Sequence, residues 1–369
     1  MINLPTFKIK DLEINLIQGG MGVGISGKNL ASAVANCGGA GIIASVGLGE
    51  VKLGLGQLKN HPEKYVKANA NALREEIREA RQASNGVIGV NIMYALSDHS
   101  TLVEASVEEG VDLIISVAGP ARNLPNYLNG KDIKLISSVS SVKAARLMHR
   151  SWEKQGHAPD AFVVEGPLAG GHLGFKYEDL VSNTTPKLED ITKQVIEFAN
   201  NPKNIKTPIP VIVAGGIYTG KDIKKAHEYG ASGVQMGTRF VTTQECDADD
   251  AFKWAYLNAT KEDIQIIQSP VGLPGRAIKN PFLESIMNGG KIKFGCDYQC
   301  LKTCNPNESP YCIAKALINA QKGDLDKGFA FAGANAYRAT QETCLDESGN
   351  FISVATLMQR LSDEYHTFE

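Results

Sequence analysis

The chain carries almost no charge surplus, since 38 Lys and Arg against 40 Asp and Glu leave a formal net charge of -2 over 369 residues. So even a balance offers no basic field to draw nucleic acid or an anionic membrane, and neither is expected as a partner. Long hydrophobic runs are missing as well, because no stretch nears the roughly 18 apolar residues of a membrane span. The opening residues, MINLPTFKIKDLEINL, lack the charged start and the apolar stretch of about 7 to 15 residues that make a signal peptide. A cytoplasmic protein is the expectation. Cysteine is scarce: seven in the chain are too few for a disulfide scaffold and suit a reducing compartment. Low-complexity linkers are absent too. What is present is a globular composition, 43% hydrophobic and 21% charged, that excludes disorder.

Short apolar, β-branched runs alternate with longer segments of helical period, the pattern of parallel βα units. Eight such runs are legible: residues 14–18, 41–45, 87–91, 112–116, 134–138, 161–165, 210–214 and 233–237. Between them lie helical stretches such as NALREEIREARQAS and GKDIKKAHEYG, several closed by the glycine expected just past a helix end. Eight strands, each followed by a helix, predict a (β/α)8 TIM barrel over residues 1–245. The rival, a doubly wound sheet, usually has fewer strands. Its first turn would also carry a dinucleotide fingerprint, and QGGMGVGIS has neither that spacing nor an acidic residue about 20 positions on. From about residue 246 the alternation stops, and residues 246–369 read as a smaller, mainly helical domain that contains cysteines and could cover the active site.

Catalytic and binding groups of such barrels gather at the C-terminal ends of the strands. Here those ends read QGGMGVG, Asn91, EGPLAGGH, AGGIYTG and GTRF. Glycines let backbone amides come close to a ligand, and amides at a loop or helix start bind phosphate well. Gly215 and Gly216, then Gly237 and Thr238, sit after strands seven and eight, where barrels most often hold a phosphate. A glycine pair also simply turns a chain, so both uses stay open for each loop. His172, behind two glycines, invites a catalytic reading because an imidazole exchanges protons near neutral pH. A turn-capping histidine is the alternative. Glu165 could bind substrate, orient a neighbour or accept loop amides, and His149 and His157 are expected on the solvent side of a surface helix and turn.

Taken together, IQGGMGVGIS, GVNIM, VVEGPLAGGHLG and VIVAGGIYTGKDIKKAHEYGASGVQMGTRF resemble the nitronate monooxygenase family, also called the 2-nitropropane dioxygenase family. The flavin-dependent enoyl-acyl carrier protein reductases are close relatives with similar motifs. The resemblance covers residues 14 to about 240 in order, and it implies an FMN-binding (β/α)8 barrel with a smaller second domain. It places Gly20 and Met21 along the isoalloxazine ring and has Asn91 hydrogen-bond the flavin. Gly170, Gly171, Gly215, Gly216, Gly237 and Thr238 would then hold the FMN phosphate, and Gln235, with Met236 beside it, is carried over on a looser match. His172 corresponds to the family's histidine near the flavin, a base or an anion stabiliser.

The implied activity is oxidation of alkyl nitronates with O2. The alternative is an NAD(P)H-dependent enoyl-thioester reductase working through the same FMN. In either case the substrate is a small molecule, and a homodimer is expected of barrels with such an addition. Two features depart from the pattern. Leu168 stands in GPLAGGH where many relatives have an acidic residue, which would change polarity at the flavin edge. Cys296, Cys300, Cys304 and Cys312 follow a C-x3-C-x3-C-x7-C spacing that fits iron–sulfur or zinc ligation, though it is neither a common zinc module nor a standard ferredoxin run. On a helix the first three would share one face, which suits plain packing equally well. Ligation would open a third reading, a flavin-binding redox sensor with a Cys-ligated metal centre. The later segment GFAFAGANAYR is expected to fold back over the flavin or substrate pocket.

Overall fold

The computed structural model describes residues 2–203 and 205–367. Two short strands come first, β1 (Phe7–Ile9) and β2 (Leu12–Ile14), paired antiparallel. The barrel strands then follow as β3 (Ile17–Gln18), β4 (Ala40–Ala44), β5 (Val87–Met93), β6 (Leu113–Val117), β7 (Lys134–Val139) and β8 (Ala161–Glu165). A two-residue strand, β9 (Gly171–His172), interrupts the series before β10 (Val211–Ala214) and β11 (Gly233–Met236) close it. The eight strands β3 to β8, β10 and β11 form one closed parallel barrel. The predicted runs match these strands to within a few residues, except that the first splits between β2 and β3.

The strands read as continuous apolar runs because both of their faces are buried. Ile17, Ile42, Leu113, Ile115, Ile136, Val163 and Ile212 belong to the interior layer. Ile43, Val90, Ile114, Leu135, Phe162, Val164 and Val213 belong to the layer packed under the helices. Phe7, Ile9 and Ile14 join the interior cluster, so the β1–β2 hairpin stoppers the N-terminal end of the barrel. Gly233 allows that close fit, since a Cβ there would lie 2.2 Å from the Phe7 ring.

After β11 the chain leaves the ring. It forms a helix Asp250–Asn258, a hairpin of β12 (Ile264–Gln268) and β13 (Pro274–Ile278), and helices Pro281–Met287, Ile313–Gln321 and Gln341–Cys344. The hairpin is the feature that a mainly helical expectation missed. β13 also pairs with β9, which ties the excursion to the barrel's sixth loop. The last helix, Val354–His366, packs against helices Gly220–Glu228 and Lys28–Asn36, in the place of the eighth barrel helix. The segment outside the ring is therefore 246–353, inserted between the eighth strand and its helix. Among the described residues no helix is long and apolar enough to cross a membrane.

Candidate functional site

A cavity of about 240 Å³ opens at the C-terminal ends of the strands, between the barrel and the inserted segment. Of the residues singled out in the sequence, Gly20, Met21, Asn91, Gly170, Gly171, His172, Gln235 and Thr238 line it. Gly20 and Asn91 are held against each other: a Cβ on Gly20 would come within 2.3 Å of the Asn91 Cβ. Only glycine lets the first loop descend that far over β5. Across the cavity the Gln235 Oε1 is buried without a hydrogen-bond partner, an acceptor left for a ligand.

His172 is placed by a sheet rather than by a simple turn. Gly171 takes a φ of 73°, a left-handed conformation that favours glycine, and the next residue enters β9 opposite Gly275 of β13. The buried Arg276 guanidinium donates to the carbonyls of Pro167 and Ala169 at 2.7 and 2.6 Å, fastening the loop before the histidine. Burial draws Arg276 down to about 10, so it stays charged at neutral pH. The His172 Nε2 lies 2.8 Å from the Ser269 Oγ, and its ring meets Phe331 edge-on at 4.9 Å between centroids. Burial pulls the imidazole down to about 4 and pushes Glu165, also in the cavity wall, up to about 7. The histidine is thus neutral at pH 7 while the glutamate is poised near its midpoint.

Gly215, Gly216 and Gly237 lie outside this lining, on the rim beside it. Gly215 and Gly216 have φ of 97° and 86°, and a Cβ on Gly215 would stand 2.9 Å from the Ala169 nitrogen. The inserted segment returns to the same rim. Gly333 N–H donates to the Thr238 Oγ1 at 2.9 Å, and the Asn335 side-chain amide donates to the Gly216 carbonyl at 2.7 Å. A Cβ on Gly170 would meet the Ala332–Gly333 backbone at 2.6 Å. The loops at 170, 215–216 and 237–238 therefore converge, with residues 332–335 as a fourth party.

Several expectations need correction. Leu168 does not border the cavity; it is 47% exposed and rests on Gly216, so its departure from the acidic pattern falls on the outer surface. His149 is buried, not solvent-facing, because it shares the inward stripe of its helix with Ala145, Met148 and Trp152 and meets Phe198 at 5.9 Å. His157 is only partly exposed, bonded to Asp160 at 3.0 Å. The cysteine stretch is not helical: residues 288–312 contain no helix or strand. Ser269 and the apolar wall of Val271, Leu317, Ile318 and Phe329 gave no local sign of their place. Phe331 and Ala332, from the segment expected to fold back, do line the cavity.

Fold and site define a (β/α)8 enzyme whose ligands meet at the strand C-termini, under an inserted cover. A family model described as nitronate monooxygenase matches residues 5–348. The chain belongs to the nitronate monooxygenase family, and it is a flavin-dependent oxidoreductase. The (3aS,4S,5R,7aS)-5-hydroxy-7a-methyl-1-oxo-octahydro-1H-indene-4-carboxyl-CoA dehydrogenase of Mycobacterium tuberculosis is 28% identical over 292 residues, 79% of this chain and 70% of that one. A probable nitronate monooxygenase of Staphylococcus aureus is 27% identical over 364 residues, covering 93% of this chain and 94% of its own. Among solved structures, FabK from Thermotoga maritima is similar at a TM-score of 0.72 and 26% identity, covering 97% and 94% of the two chains.

Proposed function

We propose that the flavin is FMN and that the reaction is oxidation of an alkyl nitronate with O2 as electron acceptor. The unpartnered Gln235 Oε1, the Gly20–Asn91 contact that leaves no room for a side chain and the rim of left-handed glycines fit a flat, phosphorylated group. Gly20, Met21, Asn91 and Gln235 would hold its ring, and the loops at 170–171, 215–216 and 237–238 its phosphate. When bound, FMN supplies the electron transfer. The protein supplies the proton.

One observation carries the substrate reading: His172 is the only imidazole in the described lining, is neutral, and has no Lys or Arg beside it there. Its fall from 6.5 to about 4 makes the protonated form costlier by about 3 kcal/mol. An anion about 4 Å away would favour that form by about 4 kcal/mol at an effective dielectric of about 20. At pH 7 the two nearly cancel, so a bound nitronate brings His172 close to its midpoint, and the imidazolium fraction stabilises the substrate's oxygens. We expect uptake of about half a proton per nitronate bound at pH 7 by His172, read by calorimetry in buffers of different ionisation enthalpy, and its loss in His172→Gln. Turnover in that variant should fall by about 10²- to 10⁴-fold.

A second reading rests on the same wall. Val271, Leu317, Ile318, Phe329 and Phe331 make a cation-free apolar surface suited to the chain of an enoyl thioester, reduced with NAD(P)H through FMN. The name of the mycobacterial relative, a carboxyl-CoA dehydrogenase, points the same way. The two readings part in an anaerobic titration of the flavin-loaded protein. Bleaching by propionate 3-nitronate supports the first. Bleaching by NADH or NADPH and not by nitronate rejects it.

A further inference from the structure

Residues 288–312 form a connection of unusual kind. Segments of this length with no helix or strand are uncommon inside compact domains and usually serve a function. This one is held to the barrel along its middle: Tyr298 stacks on Tyr65 at 5.1 Å, the Asn60 N–H donates to the Asp297 carbonyl at 3.1 Å, and the Lys302 ammonium donates to the Tyr94 carbonyl at 2.9 Å. Leu301 bridges to Leu96, the Ser97 N–H donates to the Cys300 carbonyl at 3.0 Å, and the Lys302 N–H to the Ala95 carbonyl at 2.9 Å. Its four cysteines nevertheless reach one place. Cys296, Cys300, Cys304 and Cys312 all line a single small cavity, with Phe294, Tyr298, Leu301 and Ile313 as its apolar wall.

Packing accounts for only part of the group: Cys300 and Cys312 rest on the cluster of Leu58, Tyr65, Tyr298 and Ala314. A cysteine that acts as a small apolar residue is buried, as Cys246 and Cys344 are. Cys296 is exposed, and Cys300, Cys304 and Cys312 are only half-buried. Cys312 is also the residue at which the helix Ile313–Gln321 begins. Cys300, Leu301 and Ile313 line the flavin-site cavity as well as the thiol cavity, so the two share a wall.

We propose that Cys296, Cys300, Cys304 and Cys312 are the four ligands of an iron–sulfur cluster set in the wall of the active-site cavity. Four soft thiolates suit either iron–sulfur or zinc. The shared wall favours the cluster, because zinc carries no electrons and gains nothing from a place beside a redox cavity. As placed, no group of three or more His, Cys, Asp or Glu among the described residues stands in coordinating arrangement. Ligation therefore requires the thiols to turn inward, which a connection free of helix and strand permits. Order in that connection would then follow from the metal, as in other small metal-held segments.

The test is to produce the full chain with iron supplied, purify it without oxygen, and assay iron, acid-labile sulfide and zinc. The expected result is iron and sulfide in equal amounts, about two or four of each per chain, with an electron paramagnetic resonance signal after dithionite or on oxidation. Cys304→Ala and Cys296→Ala should lose the iron and sulfide, and Cys37→Ala, outside the cluster, should keep them. One zinc per chain without sulfide overturns the proposal. So does a protein with neither metal, or one whose Cys304→Ala and Cys296→Ala forms keep full iron. The assay on the unmodified chain decides even where a variant fails to fold. It counts metal whether or not flavin is bound, so its failure is separate from failure of the FMN reading.

Discussion

His172 and Glu165 occupy one cavity, and burial moves both toward their neutral forms by opposite routes. For Glu165 the fold raises the pKa from 4.5 to about 7, so the folded state keeps a proton that the unfolded chain gives up earlier. Stability should therefore fall as pH rises between those two values and level off above about 7. Glu165→Gln, which mimics the neutral acid, should gain over the parent across that window. Urea unfolding at pH 4.5 and pH 8 checks it, and an equal difference at both would contradict the burial argument. The glycine loops and His172 were legible as a set because each follows an apolar strand. The Ser269 partner was not, since it sits 97 residues further on and only pairing of β9 with β13 brings it close. His149 was misjudged for a simpler reason: reading it by its polar character ignored the i, i+3, i+4, i+7 stripe it completes.

Elements differ in how much of themselves they announce. The barrel strands are apolar on both faces and followed by amphipathic helices, so their number and order could be read directly. The β1–β2 hairpin has strands of three residues and is too short for periodicity to speak. It still does structural work at the barrel's base, where Phe7 is 8% exposed. Phe7→Ala should cost about 3–5 kcal/mol, as large-to-small changes at buried aromatics do, seen as a lower urea midpoint with an unchanged slope. The β12–β13 hairpin did have a signal: IQIIQ and a five-residue loop containing Gly272. Its value to the site, the edge it offers to β9 and the Ser269 and Arg276 side chains it brings there, appears only in the folded chain.

At the scale of the molecule, the inserted segment 246–353 covers the mouth and the final helix returns to complete the ring. Val354, Leu357, Met358 and Leu361 are almost fully buried there. At about 1.5–3 kcal/mol each they contribute on the order of 6–12 kcal/mol, comparable with the whole stability of a typical domain of about 5–15 kcal/mol. A chain ended at residue 350 should lose cooperative unfolding and bind no flavin. A sigmoidal thermal transition with flavin retained would show that the ring stands without its last helix.

Local chemistry determined the barrel: runs buried on both faces, helices of period 3.6 and glycines at strand ends are properties of short windows, visible without any fold. The spacing of the four cysteines was equally visible. Tertiary structure alone decided what meets what. It set His172 against Ser269 and Phe331, brought residues 332–335 to the glycine rim, turned Leu168 outward and gathered the cysteines around one cavity. Those pairings join residues far apart in the chain, and they follow from how the inserted segment packs across the barrel mouth, which no window of sequence contains.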